Sequence, residues 1–188
     1  MISAILLAAG QSKRMNGKNK LNKMINNQPL INYSINNILE SNIDELIVVV
    51  GYQEEIIKKL ITVNKKIKII SNKNFESGMA SSIKEGLKHL SKKTEYFFIC
   101  LGDMPNINKQ IYNSLIKSRN RHQIIVPTYK GQRGNPVLFD KSMKEIIINI
   151  EGDNGAKKII NMHENKTYVF ETNDQSIIQD FNTQESFS

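Results

Sequence analysis

Short apolar runs alternate with amphipathic stretches along the whole chain. The runs at 46–50 and 97–101 have no polar face, which is typical of strands that are covered on both sides. Apolar residues between such runs recur at helical spacing, as in Ile56, Ile57, Leu60 and Ile61. The pattern predicts strands at 3–7, 45–50, 66–71, 96–101, 124–127, 136–139 and 167–170. It predicts helices at 32–40, 54–61, 81–90, 109–118, 142–150 and 154–162.

This alternation determines the predicted fold class. Strands that alternate with helices indicate crossover units and an α/β fold, with a mostly parallel twisted sheet and helices on both faces. The 188 residues are enough for one domain. Because the chain shows no repeat and no Pro- or Ser-rich linker, we expect a single domain over 1–188.

Composition narrows the cellular setting. No apolar run approaches the roughly 20 residues that a membrane helix needs. The apolar N-terminus, 1–10, lacks the basic region of a signal peptide, and we interpret it as a strand. One cysteine, Cys100, excludes an internal disulfide framework. These features predict a cytoplasmic protein without a membrane partner.

The net charge of +8 favours a negatively charged partner. Nucleic acid and a small anionic substrate are the two classes to consider. Lysines are spread along the whole chain rather than gathered in one arm, so we expect no nucleic-acid partner. A charge this diffuse says little else about function.

Small and basic residues follow the first predicted strand. The segment Leu7-Ala8-Ala9-Gly10 lies where open α/β sheets bind ligands, and its backbone N–H groups could hold phosphate oxygens. Arg14 and Lys20 add two cations within reach. The spacing is neither that of a P-loop nor Gly-x-Gly-x-x-Gly. A tight turn with solvated basic residues is the alternative interpretation.

Two later loops begin at the carboxyl ends of predicted strands, as the first loop does. In the loop 72–82, Gly78 permits a strained backbone and Ser81 or Ser82 can cap the next helix. Taken by itself, this loop is explained by ordinary helix capping. Asp103 follows a fully apolar strand and needs a partner if it is buried. A magnesium ion held between Asp103 and nucleotide phosphates would supply one; a simple turn before Pro105 is the alternative.

Taken together, these motifs resemble the nucleotidyltransferase family that includes molybdenum cofactor cytidylyltransferase and its guanylyltransferase relatives. The matching segments occur in the family's order: Leu7-Ala8-Ala9-Gly10-x-Ser12-x-Arg14-Met15, Lys20-Leu21, Gly78-Met79-x-x-Ser82-Ile83-Lys84-x-Gly86-Leu87, Leu101-Gly102-Asp103-Met104-Pro105, Pro127-Thr128-Tyr129-x-Gly131-x-Arg133-Gly134-Asn135-Pro136-Val137-Leu138-Phe139 and Gly152-Asp153-x-Gly155-Ala156. The last two segments resemble the cytidylyltransferase branch. Relatives that use GTP usually carry Leu-Ala-Gly-Gly in the first loop, so Ala9 favours CTP.

The resemblance implies a Rossmann-like nucleotidyltransferase fold and transfer of CMP from CTP to molybdenum-molybdopterin, with release of pyrophosphate. It implies Mg²⁺ as cofactor, anchored by Asp103, with Arg14 and Lys20 as catalytic cations. A nucleotide-binding half would span about 1–105 and an acceptor-binding half about 106–188. The nucleotide would contact Leu7, Ala8, Ala9, Gly10, Asn72, Gly78 and Ser82, and the pterin would contact Arg133, Asn135 and Asp153. A molybdenum hydroxylase is the client that such an enzyme would serve.

The C-terminal segment departs from the family pattern. The family usually ends in Asp-Ile-Asp-Thr-Pro-Glu-Asp, whereas this chain has Asp180-Phe181-Asn182-Thr183-Gln184-Glu185-Ser186. Asn182 would be an uncharged metal ligand in place of an acid, and Asp180 could substitute for it. Three alternatives stay open: a nucleotidyltransferase with another phosphorylated acceptor, a catalytically weak maturation factor for a molybdenum hydroxylase, and a nucleic-acid-binding domain.

Overall fold

One large sheet organises the chain, and the computed structural model describes residues 1–12, 19–149 and 155–181. Its strands are β1 (Ile2–Ala8), β2 (Met24–Ile25), β3 (Gln28–Pro29), β4 (Glu45–Val50), β5 (Ile67–Ser71), β6 (Tyr96–Leu101), β7 (Ile124–Tyr129), β8 (Gln132–Arg133), β9 (Val137–Asp140) and β10 (Thr167–Glu171). Its helices are α1 (Leu30–Leu39), α2 (Glu54–Leu60), α3 (Met79–Lys88), α4 (Lys109–Lys117), α5 (Lys144–Ile148) and α6 (Gly155–Met162). Short 3-10 helices cover Lys20–Asn22, Phe75–Ser77, Lys141–Met143, Glu164–Lys166 and Gln175–Ile178.

The strand order of the large sheet is β10-β7-β9-β6-β1-β4-β5, with β8 paired to β7. Strand β1 pairs in parallel with both β4 and β6, and Leu7 lies opposite Val49 on one side and Leu101 on the other. Strand β9 runs antiparallel between β6 and β7. The predicted α/β fold with a mostly parallel sheet is therefore confirmed.

Helices cover both faces of the sheet, as its apolar strands require. All six residues of β4 are buried. Helices α1, α2 and α4 pack on one face through residues such as Ile35, Ile57 and Leu115. Helices α3, α5 and α6 pack on the other face, where Ile83 and Ile147 are fully buried.

A close approach of α3 to the sheet depends on Gly86. A Cβ atom at this position would collide with the side chain of Ile5 in β1, and it would lie 3.2 Å from a methyl group of Val49. Glycine therefore lets the helix sit directly on the central strands. This packing fixes the beginning of α3 near the carboxyl ends of β1 and β4.

The predicted elements are present in the structure, with shifted ends. Helix α1, for example, begins two residues before the predicted 32–40, because the chain turns into it directly after Pro29. The small antiparallel hairpin of β2 and β3 was not predicted, since its strands are only two residues long and carry no alternating pattern. No helix in the described ranges is long and apolar enough to cross a membrane.

Candidate active site

The candidate site lies where the strand order reverses. From β1 the chain proceeds to β4 and β5 on one side, and it then returns to β6 on the other side of β1. Such a reversal opens a crevice at the carboxyl ends of the strands, where α/β proteins bind ligands. The Gly102 N–H donates to the Leu7 carbonyl at 3.1 Å, so the loops that follow β1 and β6 begin side by side.

The first loop presents backbone rather than large side chains. Ala8 and Ala9 are buried, at 1% and 3% exposure, whereas Gly10 is exposed and a Cβ there would have open space around it. The methyl group of Ala9 faces Gly51: a Cβ on Gly51 would lie 2.9 Å from it. Any effect of Ala9 on base selection would therefore act through this packing. Arg14 lies outside the described residues.

Lys20 is positioned by a buried asparagine that the sequence analysis missed. Asn19 is 1% exposed; its Oδ1 accepts from the Leu21 N–H at 3.1 Å, and its Nδ2 donates to the Tyr52 carbonyl at 3.2 Å. The backbone N–H of Lys20 donates to Ser12 Oγ at 3.1 Å. An asparagine immediately before a helical turn is a capping signal, so the motif Asn19-Lys20-Leu21 could have revealed this arrangement.

Asp103 stands on an equally constrained turn. The Gly102 carbonyl accepts from Ser34 Oγ of α1 at 3.1 Å, and the Asp103 carbonyl accepts from the Phe181 N–H at 2.9 Å. Its carboxylate forms an ion pair with the Lys20 ammonium, and each of these two side chains is only 16% exposed. The partner that a sheltered carboxylate requires is thus supplied by the protein itself.

The surroundings of Asp103 suit a magnesium ion that arrives with a nucleotide. Among the residues that the structure describes, no three His, Cys, Asp or Glu side chains cluster as a metal site. Mg²⁺ commonly takes one or two carboxylates and completes its shell with water and substrate phosphates, so Asp103 could serve as its protein ligand. The Phe181 contact brings the C-terminal segment beside Asp103; Asp180 is exposed, and Asn182 lies outside the described residues.

The second loop is organised by Asn72. Its Nδ2 donates to Ser81 Oγ at 2.8 Å and to Ser82 Oγ at 3.0 Å, and its Oδ1 accepts from the Asn74 N–H at 2.9 Å. Gly78 precedes α3 with φ of 104°, a conformation that other residues rarely adopt. Asn72 and Ser82 are buried, so they shape the loop.

An open pocket of about 630 Å³ lies along this loop and α3, and Asn72, Ser81 and Lys84 are among its lining residues. Gln11 Nε2 donates to Glu76 Oε1 at 3.2 Å. This hydrogen bond joins the second loop to the first, so the two loops form one continuous rim.

A second cavity, of about 540 Å³, opens on the acceptor side predicted from sequence. Its lining includes apolar residues from β6, β7 and β9, among them Leu101, and polar residues including Asn135 and Lys157. Arg133 also lines it, and its guanidinium donates to Asn161 Oδ1 at 2.7 Å and to Glu164 Oε1 at 2.9 Å. Asp153 lies outside the described residues.

Cys100 has no place in this chemistry. It is 1% exposed within β6, and burial raises the pKa of its thiol to about 12. A thiol with such a pKa stays protonated and is a poor nucleophile. Cys100 is therefore a small core residue.

A sequence profile of the MobA-like NTP transferase domain matches residues 4–167. The chain belongs to this family. It is similar to the molybdenum cofactor cytidylyltransferase of Escherichia coli K12, with 27% identity over 186 residues that cover 99% of this chain and 93% of that protein. It is also 27% identical over 153 residues to a probable molybdenum cofactor guanylyltransferase of Methanosarcina acetivorans, covering 79% of this chain and 67% of that protein.

Other similar proteins are longer than this chain, or resemble it in fold at low sequence identity. The bifunctional protein GlmU of Staphylococcus epidermidis is 26% identical over 142 residues, which are 75% of this chain. The chain spans about a third of the length of the GlmU proteins it matches, with 31% of that relative covered. Rv0371c of Mycobacterium tuberculosis superposes with a TM-score of 0.88 at 18% identity, covering 99% of this chain and 95% of that one.

Proposed function

We propose that this nucleotidyltransferase transfers CMP from CTP to molybdenum-molybdopterin, giving molybdopterin cytosine dinucleotide and pyrophosphate. The observation that carries the proposal is the Lys20–Asp103 pair at the strand-order reversal. Asp103 follows the carboxyl end of β6, and Leu101 of β6 lines the acceptor-side cavity. The full-length similarity to a cytidylyltransferase supports the choice of nucleotide and acceptor. We place the reaction in the cytoplasm, as the composition of the chain predicts.

The nucleotide occupies the crevice of the first two loops in this proposal. The backbone of Ala8, Ala9 and Gly10 follows β1 directly, and the exposed Gly10 leaves room for phosphate oxygens. The pocket beside Asn72 and Ser81 accommodates the cytidine end. Residues 1–105 thus form the nucleotide half.

The acceptor occupies the cavity of about 540 Å³. Its apolar floor suits a flat heterocycle, and the polar rim with Arg133, Asn135 and Lys157 suits the phosphate that this heterocycle carries. Leu101 lines the cavity and lies two residues before Asp103. An acceptor bound there lies beside the turn that carries Asp103.

The protein's contribution to the reaction is positioning and charge stabilisation. A phosphate oxygen of the acceptor attacks the α-phosphorus of CTP, and the bond to the bridging oxygen of the departing pyrophosphate breaks. Lys20 offsets the negative charge that develops on this leaving group. Asp103 would hold Mg²⁺, which when bound neutralises charge on the phosphate oxygens.

One feature of the sequence favours a second function. Asn182 replaces an acid of the family's C-terminal motif, which would suit a weakly active maturation factor that binds a nucleotide or cofactor and delivers it to a molybdenum hydroxylase. Substitution Asn182→Asp then separates the two functions. An enzyme transfers CMP before this change, whereas a degenerate binder acquires transfer only after it.

A thermal-shift panel tests the proposed nucleotide. We expect CTP with Mg²⁺ to raise the melting temperature more than GTP, ATP or UTP does, because only a bound ligand stabilises the folded state. A short DNA duplex in the same panel tests the nucleic-acid alternative. Stronger stabilisation by GTP than by CTP would overturn the cytidylyl assignment, and stabilisation by the duplex alone would overturn the enzymatic one.

A further inference from the structure

We propose that Lys20 occupies the metal-binding carboxylate of Asp103 in the nucleotide-free protein and releases it only when a nucleoside triphosphate binds. Divalent metal and nucleotide would then bind cooperatively, and the metal alone would bind poorly. The inference rests on the proposed function of this site, because it assigns the metal to Asp103 and the triphosphate to Lys20.

The Lys20 side of the pair is fixed by its backbone. Leu21, the next residue, is 4% exposed and lies under the turn of Gly102, where a Cβ would be 3.4 Å from its Cδ1 and Cδ2 atoms. Asn19 and Ser12 hold the backbone on either side through the hydrogen bonds described above. The lysine therefore projects from an anchored turn.

The Asp103 side is fixed independently. The turn is held at the Gly102 N–H by Leu7, at the Gly102 carbonyl by Ser34 and at the Asp103 carbonyl by Phe181. These three contacts come from β1, from α1 and from the C-terminal segment. Two separately anchored turns thus bring the ammonium and the carboxylate together.

Electrostatics make this pair an effective competitor of a metal ion. Both side chains are 16% exposed, so each charge has lost much of its hydration, and separating the pair without a replacement partner leaves a sheltered charge unpaired. A divalent ion that binds Asp103 alone would also have to leave the Lys20 ammonium nearby as a repelling cation. The resting site is consequently closed to the metal by its own lysine.

A triphosphate removes both obstacles together. Its oxygens accept the Lys20 ammonium in exchange for Asp103, and its negative charge and additional oxygen ligands favour a divalent cation beside the freed carboxylate. Linkage then requires the metal to increase the nucleotide affinity by the same factor by which the nucleotide increases the metal affinity. A free metal ion would not displace Lys20 from Asp103, and the metal–nucleotide complex would be the species that binds.

The test is binding of Mn²⁺ in the absence of nucleotide, measured by the electron paramagnetic resonance signal of the free ion. We expect weak binding to the wild-type protein and at least a tenfold gain in affinity for Lys20→Met, which removes the competing ammonium. Lys20→Arg keeps a cation and should bind Mn²⁺ as weakly as the wild type. Asp103→Asn introduced into Lys20→Met should abolish the gain.

The matched control removes a lysine from a different sheltered carboxylate. Lys68 pairs with Glu45 at 2.5 Å, and the Glu45 side chain is 6% exposed. Asp103 follows the carboxyl end of β6, whereas Glu45 lies at the amino end of β4. Lys68→Met should not increase Mn²⁺ binding, because Ser3 Oγ and the Ser91 N–H still hold that carboxylate. Thermal melts of each variant establish that it is folded.

A second titration measures the coupling itself. CTP should increase the Mn²⁺ affinity of the wild type at least tenfold and that of Lys20→Met much less. Equal Mn²⁺ affinity of the wild type and Lys20→Met without nucleotide would overturn the proposed competition between Lys20 and the metal, whatever the transfer assay gives. A failure of CMP transfer with the expected Mn²⁺ pattern would instead overturn the proposed substrates.

Discussion

Replacing Gly134 by alanine tests why glycine stands in the Arg133-Gly134-Asn135-Pro136 motif. A Cβ at this position would collide with the Ile177 carbonyl oxygen and lie 2.9 Å from the Ile177 Cβ. Neither backbone can shift easily, because the Gly134 N–H donates to the Pro127 carbonyl at 2.8 Å and the Asn135 N–H donates to the Ile177 carbonyl at 2.8 Å. We therefore assign this glycine to close packing against the C-terminal segment.

The cost follows from the kind of atoms in contact. Overpacking of a well-filled interior costs about 1–3 kcal/mol, and a backbone carbonyl held by a hydrogen bond places Gly134→Ala toward the upper end of this range. The lower entropy of the unfolded alanine chain offsets about 0.4–1 kcal/mol. A net loss of about 2 kcal/mol corresponds to a decrease in melting temperature of roughly 4–8 °C for a protein of this size.

Differential scanning calorimetry of Gly134→Ala and Gly10→Ala measures this effect against a matched control. A Cβ on Gly10 meets no atom within 4 Å, so Gly10→Ala should leave the melting temperature nearly unchanged while weakening nucleotide binding. An unchanged melting temperature for Gly134→Ala would refute the packing argument. A large decrease for Gly10→Ala would refute the assignment of the first loop to an open phosphate cradle.

Three further substitutions give distinct outcomes. Asp103→Asn should reduce turnover about 100-fold or more with a retained circular dichroism spectrum, because a charged ligand is lost; near-normal Mg²⁺-dependent turnover would exclude Asp103 as the anchor. Ser34→Ala should lower kcat about fivefold with little change in KM, since the Asp103 turn loses a hydrogen bond of about 1 kcal/mol, and Ser34→Thr should restore the rate. The hydrogen bond from Lys73 lowers the pKa of Glu54 to about 2, so this carboxylate stabilises the fold above about pH 4.5 and the benefit is lost as the pH falls toward 2. Glu54→Gln should therefore lower the unfolding free energy at pH 7 by about 1 kcal/mol or less, because the lysine is exposed. The difference from wild type should shrink between pH 5 and pH 2. A difference that is independent of pH would contradict the ion pair.

The strands were the most predictable part of the fold, for a physical reason. Runs such as 46–50 are apolar on both faces because helices cover them from both sides. A continuous apolar run in the sequence therefore identifies a buried strand. Strands β2 and β3 have two residues each, and the 3-10 helices have three or four. Such short elements leave no periodic signal.

The candidate site was also predictable only in part. Lys20 and Asp103 were expected at one sheet edge from the order of strands and loops, and the structure places them in contact. Their direct pairing was not predicted, nor was the support from Ser34 and Phe181. These contacts join residues that are 68 to 83 positions apart in the chain. Contacts of this kind depend on the packed fold, which no local pattern encodes.

The acceptor side shows the same limit. Arg133 was expected to face the pterin and does line the cavity, but its pairing with Glu164 of a short 3-10 helix was not foreseen. The roles of Arg133, Asn135 and the nucleotide-loop residues stay predictions. Arg14, Asp153 and Asn182 lie outside the described residues.

The most direct test of the central claim is a single-turnover transfer assay with purified protein, Mg²⁺, molybdenum-molybdopterin and CTP labelled at the α-phosphate. The proposed function predicts that label appears in molybdopterin cytosine dinucleotide with stoichiometric pyrophosphate, faster than label from GTP is transferred, and that Lys20→Ala slows the step about 100-fold. Label transferred from GTP in preference to CTP, or no transfer by folded protein that binds CTP, would contradict it.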